Sequence, residues 1–181
     1  ILWIPIQVVA QVDDVNINSN NDIEPEDPYA YLHDNEVYVD SLKSWMSQND
    51  NDSIRALYLA DLAYYSAYSS VSQSEKYAEE ALRLADSLKN PYLHIYALQS
   101  KANSYTIQGL YLNALQVNQE ALVFEEENPF SDLKVLLVNN IGDSYMELND
   151  YQNAYSYFQT ALNMSREMKD SLSETIAMFN I

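Results

Sequence analysis

Residues 133–169 read LKVLLVNNIGDSYMELNDYQNAYSYFQTALNMSREMK, and their spacing decides the fold. Val138, Ile141, Gly142 and Tyr145 recur at three- and four-residue steps, which places them on one face of a helix. Asn149 and Asp150 mark a turn, after which Tyr151, Ala154, Phe158 and Ala161 define a second helical stretch. Two helices joined by a short turn are expected here. Moving outward, the same register returns every 40 residues: Ala161-Leu162 is preceded by Ala121-Leu122 and Ala81-Leu82, and Tyr145 by Tyr105 and Tyr65. Further columns align, including Ser74, Ala114 and Ala154; Leu62, Ala102 and Gly142; and Tyr77, Val117 and Tyr157. A fixed period of this size predicts stacked units, each burying its apolar face against its neighbours.

Gly142, Tyr145, Ala154, Phe158 and Ala161 match in kind and spacing the signature positions of the tetratricopeptide repeats, a family this unit resembles. The unit at 95–128 keeps Ala102, Tyr105, Ala114 and Ala121 but has Asn118 where an aromatic is usual, and the unit at 55–88 keeps Tyr65 and Ala81. The period exceeds the standard of about 34 residues. HEAT-like helical repeats have periods near this one but account less well for the small-residue and tyrosine columns. The expected fold is therefore all-α, an α-α superhelix of antiparallel helix pairs.

Helix pairs are predicted at 52–69 with 73–89, 92–107 with 111–126, and 131–147 with 151–168, within repeats at 51–90, 91–129 and 130–170. Pro91 and Pro129 fall at the joints between pairs, where a missing N–H is tolerated at a helix start. A helix within 35–50, carrying Val37, Leu42, Trp45 and Met46, reads as a capping element, since Ser41-Leu42 lies one period before Ala81-Leu82. Residues 171–181 begin a fourth unit, Met178–Ile181 lying one period after Val138–Ile141, so further repeats are expected beyond Ile181. Residues 11–34, rich in Asn, Asp and Pro, read as a flexible polar leader.

Residues 1–10, ILWIPIQVVA, are apolar, uncharged and too short to span a bilayer. With Val8 and Ala10 as the small residues before a cut, they read as the end of a signal-peptide core cleaved after Ala10, or else as an apolar segment packing on the first helix. The chain has 9 basic and 27 acidic residues, a net charge of −18. Such a surface disfavours phosphate backbones and anionic headgroups, so neither nucleic acid nor membrane-surface binding by the repeats is expected. The charge either keeps a helical array with sixteen tyrosines soluble or favours basic partners. Most of the tyrosines fall on repeat columns or apolar faces, where rings pack and hydroxyls reach the rim. With no cysteine, neither disulfides nor thiol chemistry is available.

Nothing in the sequence points to catalysis, a metal or a cofactor. His33 and His94 are far apart and lack a second histidine at ligand spacing. Two isolated glycines, Gly109 and Gly142, cannot make a phosphate loop. Glu125, Glu126 and Glu127 read as a solvated helix end rather than a calcium loop. Asp-Ser pairs before an aliphatic residue, as at Asp52-Ser53 and Asp170-Ser171, read as capping chemistry and also resemble an O-glycosylation signal of exported Bacteroidetes proteins.

The family resemblance implies a concave groove lined by the first helix of each pair. Its groove positions here are Leu59, Ala63 and Ser66; Gln99, Asn103 and Thr106; and Asn139, Asp143 and Met146. The amides among them are suited to hydrogen-bond the backbone of an extended protein or peptide partner. None is basic, so a clamp for a C-terminal carboxylate is not expected. An export-like start, an acidic leader and long repeats resemble the N-terminal region of Bacteroidetes sensor kinases and helix-turn-helix regulators. That implies a non-catalytic, extracytoplasmic sensory module of a bacterial signal-transduction protein. A cytoplasmic scaffold, or an accessory domain of an enzyme, are the alternatives.

Overall fold

The structure, a computed structural model, describes residues 30–181 and, within them, all side chains except those of residues 30–34, 131 and 132. The expectations for residues 1–10, for most of the leader and for the side chain of His33 lie outside the described residues.

Among the described residues the chain forms eight α-helices and no strand: α1 (Ala30–Ser47), α2 (Asp52–Ser66), α3 (Val71–Leu88), α4 (Pro91–Ile107), α5 (Tyr111–Glu127), α6 (Ser131–Glu147), α7 (Tyr151–Met168) and α8 (Ser171–Asn180). The all-α superhelical architecture expected from the register is thus observed, with α2/α3, α4/α5 and α6/α7 as the pairs. One boundary differs. α1 already includes residues 30–34, inside the predicted leader, where Ala30 and Leu32 are strong helix formers.

Each helix packs on its chain neighbours, and the even-numbered helices also pack on one another, α2 broadly on α4, but α4 on α6 and α6 on α8 only slightly. No two odd-numbered helices pack together. The even helices therefore form an inner row touched from several sides, which explains their wide burial: in α4, Leu93, Ile95 through Ser100, Ala102 and Ser104 are all buried. The odd helices bury a single stripe, Ser74, Ala78, Ala81 and Ala85 in α3. The same positions are buried in α5, as Ala114, Asn118, Ala121 and Glu125, and in α7, as Ala154, Phe158, Ala161 and Ser165. Tyr151, read from the sequence as part of the apolar face, is 61% exposed; its hydroxyl instead donates to Asn149 Oδ1 at 2.8 Å, tying off the α6–α7 turn.

Two columns of this lattice trade volume. Gly142 on α6 is seated against Phe158 on α7, and a Cβ added at Gly142 would come within 2.5 Å of that ring. The corresponding pairs are Ala102 with Asn118 and Leu62 with Ala78, so as the inner residue grows the outer one shrinks. A close-packed interior demands this, because one surplus methyl has nowhere to go.

The joints between pairs show a second compensation. After α3 and α7 the chain turns through a lysine in the left-handed region, Lys89 (φ 49°) and Lys169 (φ 57°). The following N–H groups reach back to the helix, Asn90 to the Ala85 carbonyl at 3.2 Å and Asp170 to that of Ser165 at 2.9 Å. This is the Schellman closure. After α5 the equivalent residue is Pro129, whose ring forbids positive φ. Here the Phe130 N–H is satisfied by the Glu125 side chain, Oε1 at 2.9 Å, instead of a backbone carbonyl. Glu125 is 1% exposed and ion-paired with Lys134 at 3.2 Å. The reading of 125–127 as a solvated run thus fails at its first residue, because Pro129 removes the usual closure; Glu126 and Glu127 are exposed. Pro91 does occupy the first turn of α4, behind the Asn90 cap, whereas Pro129 lies outside α6, which starts at Ser131. Of the Asp-Ser pairs, Asp170 caps α8 through the N–H groups of Leu172 and Ser173, while α2 is capped by Asn51, ahead of Asp52.

Glu125→Ala is expected to cost about 1–3 kcal/mol of unfolding free energy, since it leaves the Phe130 N–H without its acceptor. Adding Pro129→Lys should recover roughly 1 kcal/mol by restoring the backbone closure. Gly142→Ala should destabilise by about 1–3 kcal/mol despite the better helix propensity of alanine, and Phe158→Leu should relieve part of that cost in the double variant. Urea titrations followed by far-ultraviolet circular dichroism check all four variants.

Candidate functional site

The inner row carries the predicted groove positions, and the structure separates them into two groups. In the first two repeats Leu59 (2% exposed), Ala63 (0%), Ser66 (1%) and Gln99 (1%) are closed off from solvent. Asn103 and Thr106 are half-buried. Thr106 spends its hydroxyl on the Ala102 carbonyl of its own helix at 3.3 Å. Asn139 is largely buried, Asp143 half-buried and Met146 exposed.

Asn103, Asn139 and Asp143 are brought together with two residues that the sequence reading did not single out, Asn140 and Asn180. The Asn140 amide donates to Asn103 Oδ1 at 3.4 Å, joining α4 to α6. The Asn180 amide donates to Asn139 Oδ1 at 3.2 Å and to Asp143 Oδ1 at 3.3 Å, joining α6 to α8. Asn139 in turn donates to Asp143 Oδ2 at 3.4 Å. The signal was present in the register: Asn180 lies one period after Asn140. Burial, with Glu147 adding repulsion, pushes the Asp143 carboxyl up to about 6. The result is a patch of four amides and one carboxylate across three inner helices, rich in both donors and acceptors.

A second polar feature lies inside the row. Asp61 on α2 is 4% exposed and accepts a hydrogen bond from the Tyr96 hydroxyl of α4 at 2.7 Å. Burial pushes its carboxyl up to about 7, the Tyr96 bond working against this. Tyr38 of α1 and Tyr65 of α2 meet edge to face, their ring centroids 4.5 Å apart, and both hydroxyls titrate upward from burial and then from the Asp61 charge. A carboxylate in the apolar run LYLADLAYYSA was the visible sign.

Nothing in this geometry assembles a nucleophile with a base. His94 bonds Asp86 through Nδ1 at 2.6 Å and stacks on Phe124, which holds α3, α4 and α5 together. Among the described residues no group of three or more His, Cys, Asp or Glu side chains is arranged to hold a metal ion, and no helix is long and apolar enough to cross a membrane.

No protein-family model and no curated protein sequence matches the chain. Among solved structures it is similar to a signal-transduction ATPase with numerous domains that carries a tetratricopeptide repeat sensor, from Pyrococcus horikoshii. The TM-score is 0.66 at 16% identity, over 84% of this chain and 25% of that one. It is also similar to the N-terminal domain of stress-induced protein-1 from C. elegans, with a TM-score of 0.54 at 16% identity, over 73% of this chain and 98% of that domain. The fold is tetratricopeptide-like. The chain spans a quarter of the length of the Pyrococcus protein. In tetratricopeptide terms, α2, α4, α6 and α8 are first helices of their units and α3, α5 and α7 second helices, so the amide patch lies on the row of first helices, where the family resemblance places the groove.

The Asp61 environment gives this tetratricopeptide-like array a defined pH response. Its folded carboxyl titrates near 7 against about 4 in the unfolded chain, so the stability Asp61 contributes is fully present below about pH 4 and is lost as pH rises to about 7, while Asp170, held low by its bonds to Ser173 and Leu172, contributes in the opposite sense. Asp143 adds a smaller change of the same sign as Asp61. Asp61→Asn, which keeps an acceptor for Tyr96, should raise stability at pH 8 by on the order of 2–4 kcal/mol and flatten that part of the profile. Denaturant midpoints measured across this range check it.

Proposed function

We propose that this region is a non-catalytic protein-interaction module whose inner row of helices holds a protein or peptide partner at the Asn103, Asn139, Asn140 and Asp143 patch. The observation that carries the reading is the clustering of four amides and one carboxylate on α4, α6 and α8. Side-chain amides present to an extended chain the same donor and acceptor pair that the chain presents to them. Thr106 and Met146 flank the patch, while Ser66 and Gln99 are too enclosed to meet a partner directly.

The module is the sensory region of a bacterial signal-transduction protein, exported so that the repeats face the periplasm, with a membrane anchor and a histidine kinase or helix-turn-helix output elsewhere in the protein. The apolar residues 1–10, and the sensor role of the tetratricopeptide repeats in the Pyrococcus protein, support this. The repeats themselves contact neither nucleic acid nor membrane and need no cofactor.

Two measurements test the proposal. A photo-crosslinking residue at Thr106 or Met146 should capture a discrete partner in cells, while one at Glu79 or Glu120, exposed on the second helices, should not; equal labelling from both faces sinks the groove. A phosphatase that is active only outside the cytoplasm, fused after Ile181 behind the natural upstream sequence, should be active. An inactive fusion favours the cytoplasmic scaffold.

A further inference from the structure

The polar contacts along the inner row repeat with the register. Asn103 of α4 accepts a hydrogen bond from Asn140 of α6 at 3.4 Å, and one period later Asp143 of α6 accepts one from Asn180 of α8 at 3.3 Å. Each rung joins the same two columns on successive inner helices. Between α2 and α4 those columns hold Ala63 and Ser100, both buried, so the ladder begins at α4. Its four members are half-buried, and each keeps part of its side chain open to solvent.

The two rungs differ in charge. Asn103 shows that an amide in this column is enough to bridge two inner helices. Asp143 performs the same structural task with a carboxylate, although burial disfavours its charged form. Among the described residues no lysine, arginine or histidine lies within ion-pair distance of it, and the side chains that bond it are the neutral amides of Asn139 and Asn180. Helix packing therefore does not account for the charge.

The surroundings fix what can answer it. Glu147, exposed one turn further along α6, adds a second negative charge, and the chain carries −18 in all, so an anionic segment is repelled. A hard metal ion needs more carboxylate ligands than this, and among the described residues no three acidic or histidine side chains converge. An ammonium or guanidinium group fits, because it carries only donors and the Asp143 carboxylate only acceptors. A charge-assisted bond of this kind is stronger than the neutral one Asn103 can make at the rung before.

We infer that the groove's partner is an extended segment bearing a lysine or arginine, whose cationic head seats on Asp143 while its backbone meets the amides of Asn103 and Asn140. Asp143 is then the specificity-determining residue, and Asn103 sets a neutral position beside it. The inference rests on the groove reading proposed above and names the chemistry of its occupant.

The test is selection of phage-displayed random dodecapeptides on the immobilised protein and on its Asp143→Asn variant, which keeps an acceptor for Asn180 and so keeps the rung. The unaltered protein should enrich lysine or arginine at one aligned position, and the variant should not. A selected peptide, synthesised with a fluorophore and titrated by anisotropy, should bind Asp143→Asn about tenfold more weakly. Replacing its basic residue with glutamine should weaken binding to the unaltered protein by the same factor and to the variant no further. Glu120→Gln, which removes one charge from the exposed face of α5, should change neither result. Selected peptides with no basic position, a glutamine effect equal on both proteins, or a loss in Glu120→Gln as large as in Asp143→Asn would each overturn the assignment to Asp143 and leave the groove standing. No enrichment on the unaltered protein would remove the groove and this assignment together.

Discussion

Everything in this array depends on how closely the second helix of each pair can approach the two first helices beside it. Ala81, Ala121 and Ala161 are each 0% exposed, and at that column any larger side chain would push a helix off its neighbours. Because the odd helices never meet one another, each unit is held only through this approach and through the inner row. The return of alanine at this column every 40 residues is therefore a packing requirement written into the sequence.

The lattice tolerates local departures by answering each with another. Gly142 against Phe158 shows a volume exchanged across a crossing, and Glu125 shows a backbone closure replaced by a side chain when proline occupies the turn. The unusual buried residues of the middle repeat follow the same logic only in part: Asn118 fits the space left by Ala102, but the structure shows no partner for its amide. The Asp61 site is different in kind, because it places an acid where the lattice would accept an apolar residue, as Ile141 does two periods on.

The pairs, their order and most of their ends were legible in the sequence, since alanine, glycine and tyrosine columns report directly on helix faces. Less legible was which polar residues would be exposed. Ser66 and Gln99 have groove spacing, yet spacing along one helix says nothing about the neighbouring helix that encloses it. Glu125 misled for a related reason, its burial being set by the backbone limits of a residue four positions later. The partnership of Asn103 with Asn140 and of Asp143 with Asn180 required the distance between helices, which the register implies only as adjacency.

The inner row is also mechanically uneven. α2 leans broadly on α4, and the Asp61–Tyr96 bond pins the two, whereas α4 meets α6 slightly and is bridged by the long Asn103–Asn140 contact. In a stack where deformation is shared only between neighbours, compliance concentrates at the weaker joint. The amide patch sits across that joint and across the equally slight contact of α6 with α8, so a partner held there, as proposed, would load the most compliant stretch of the inner row.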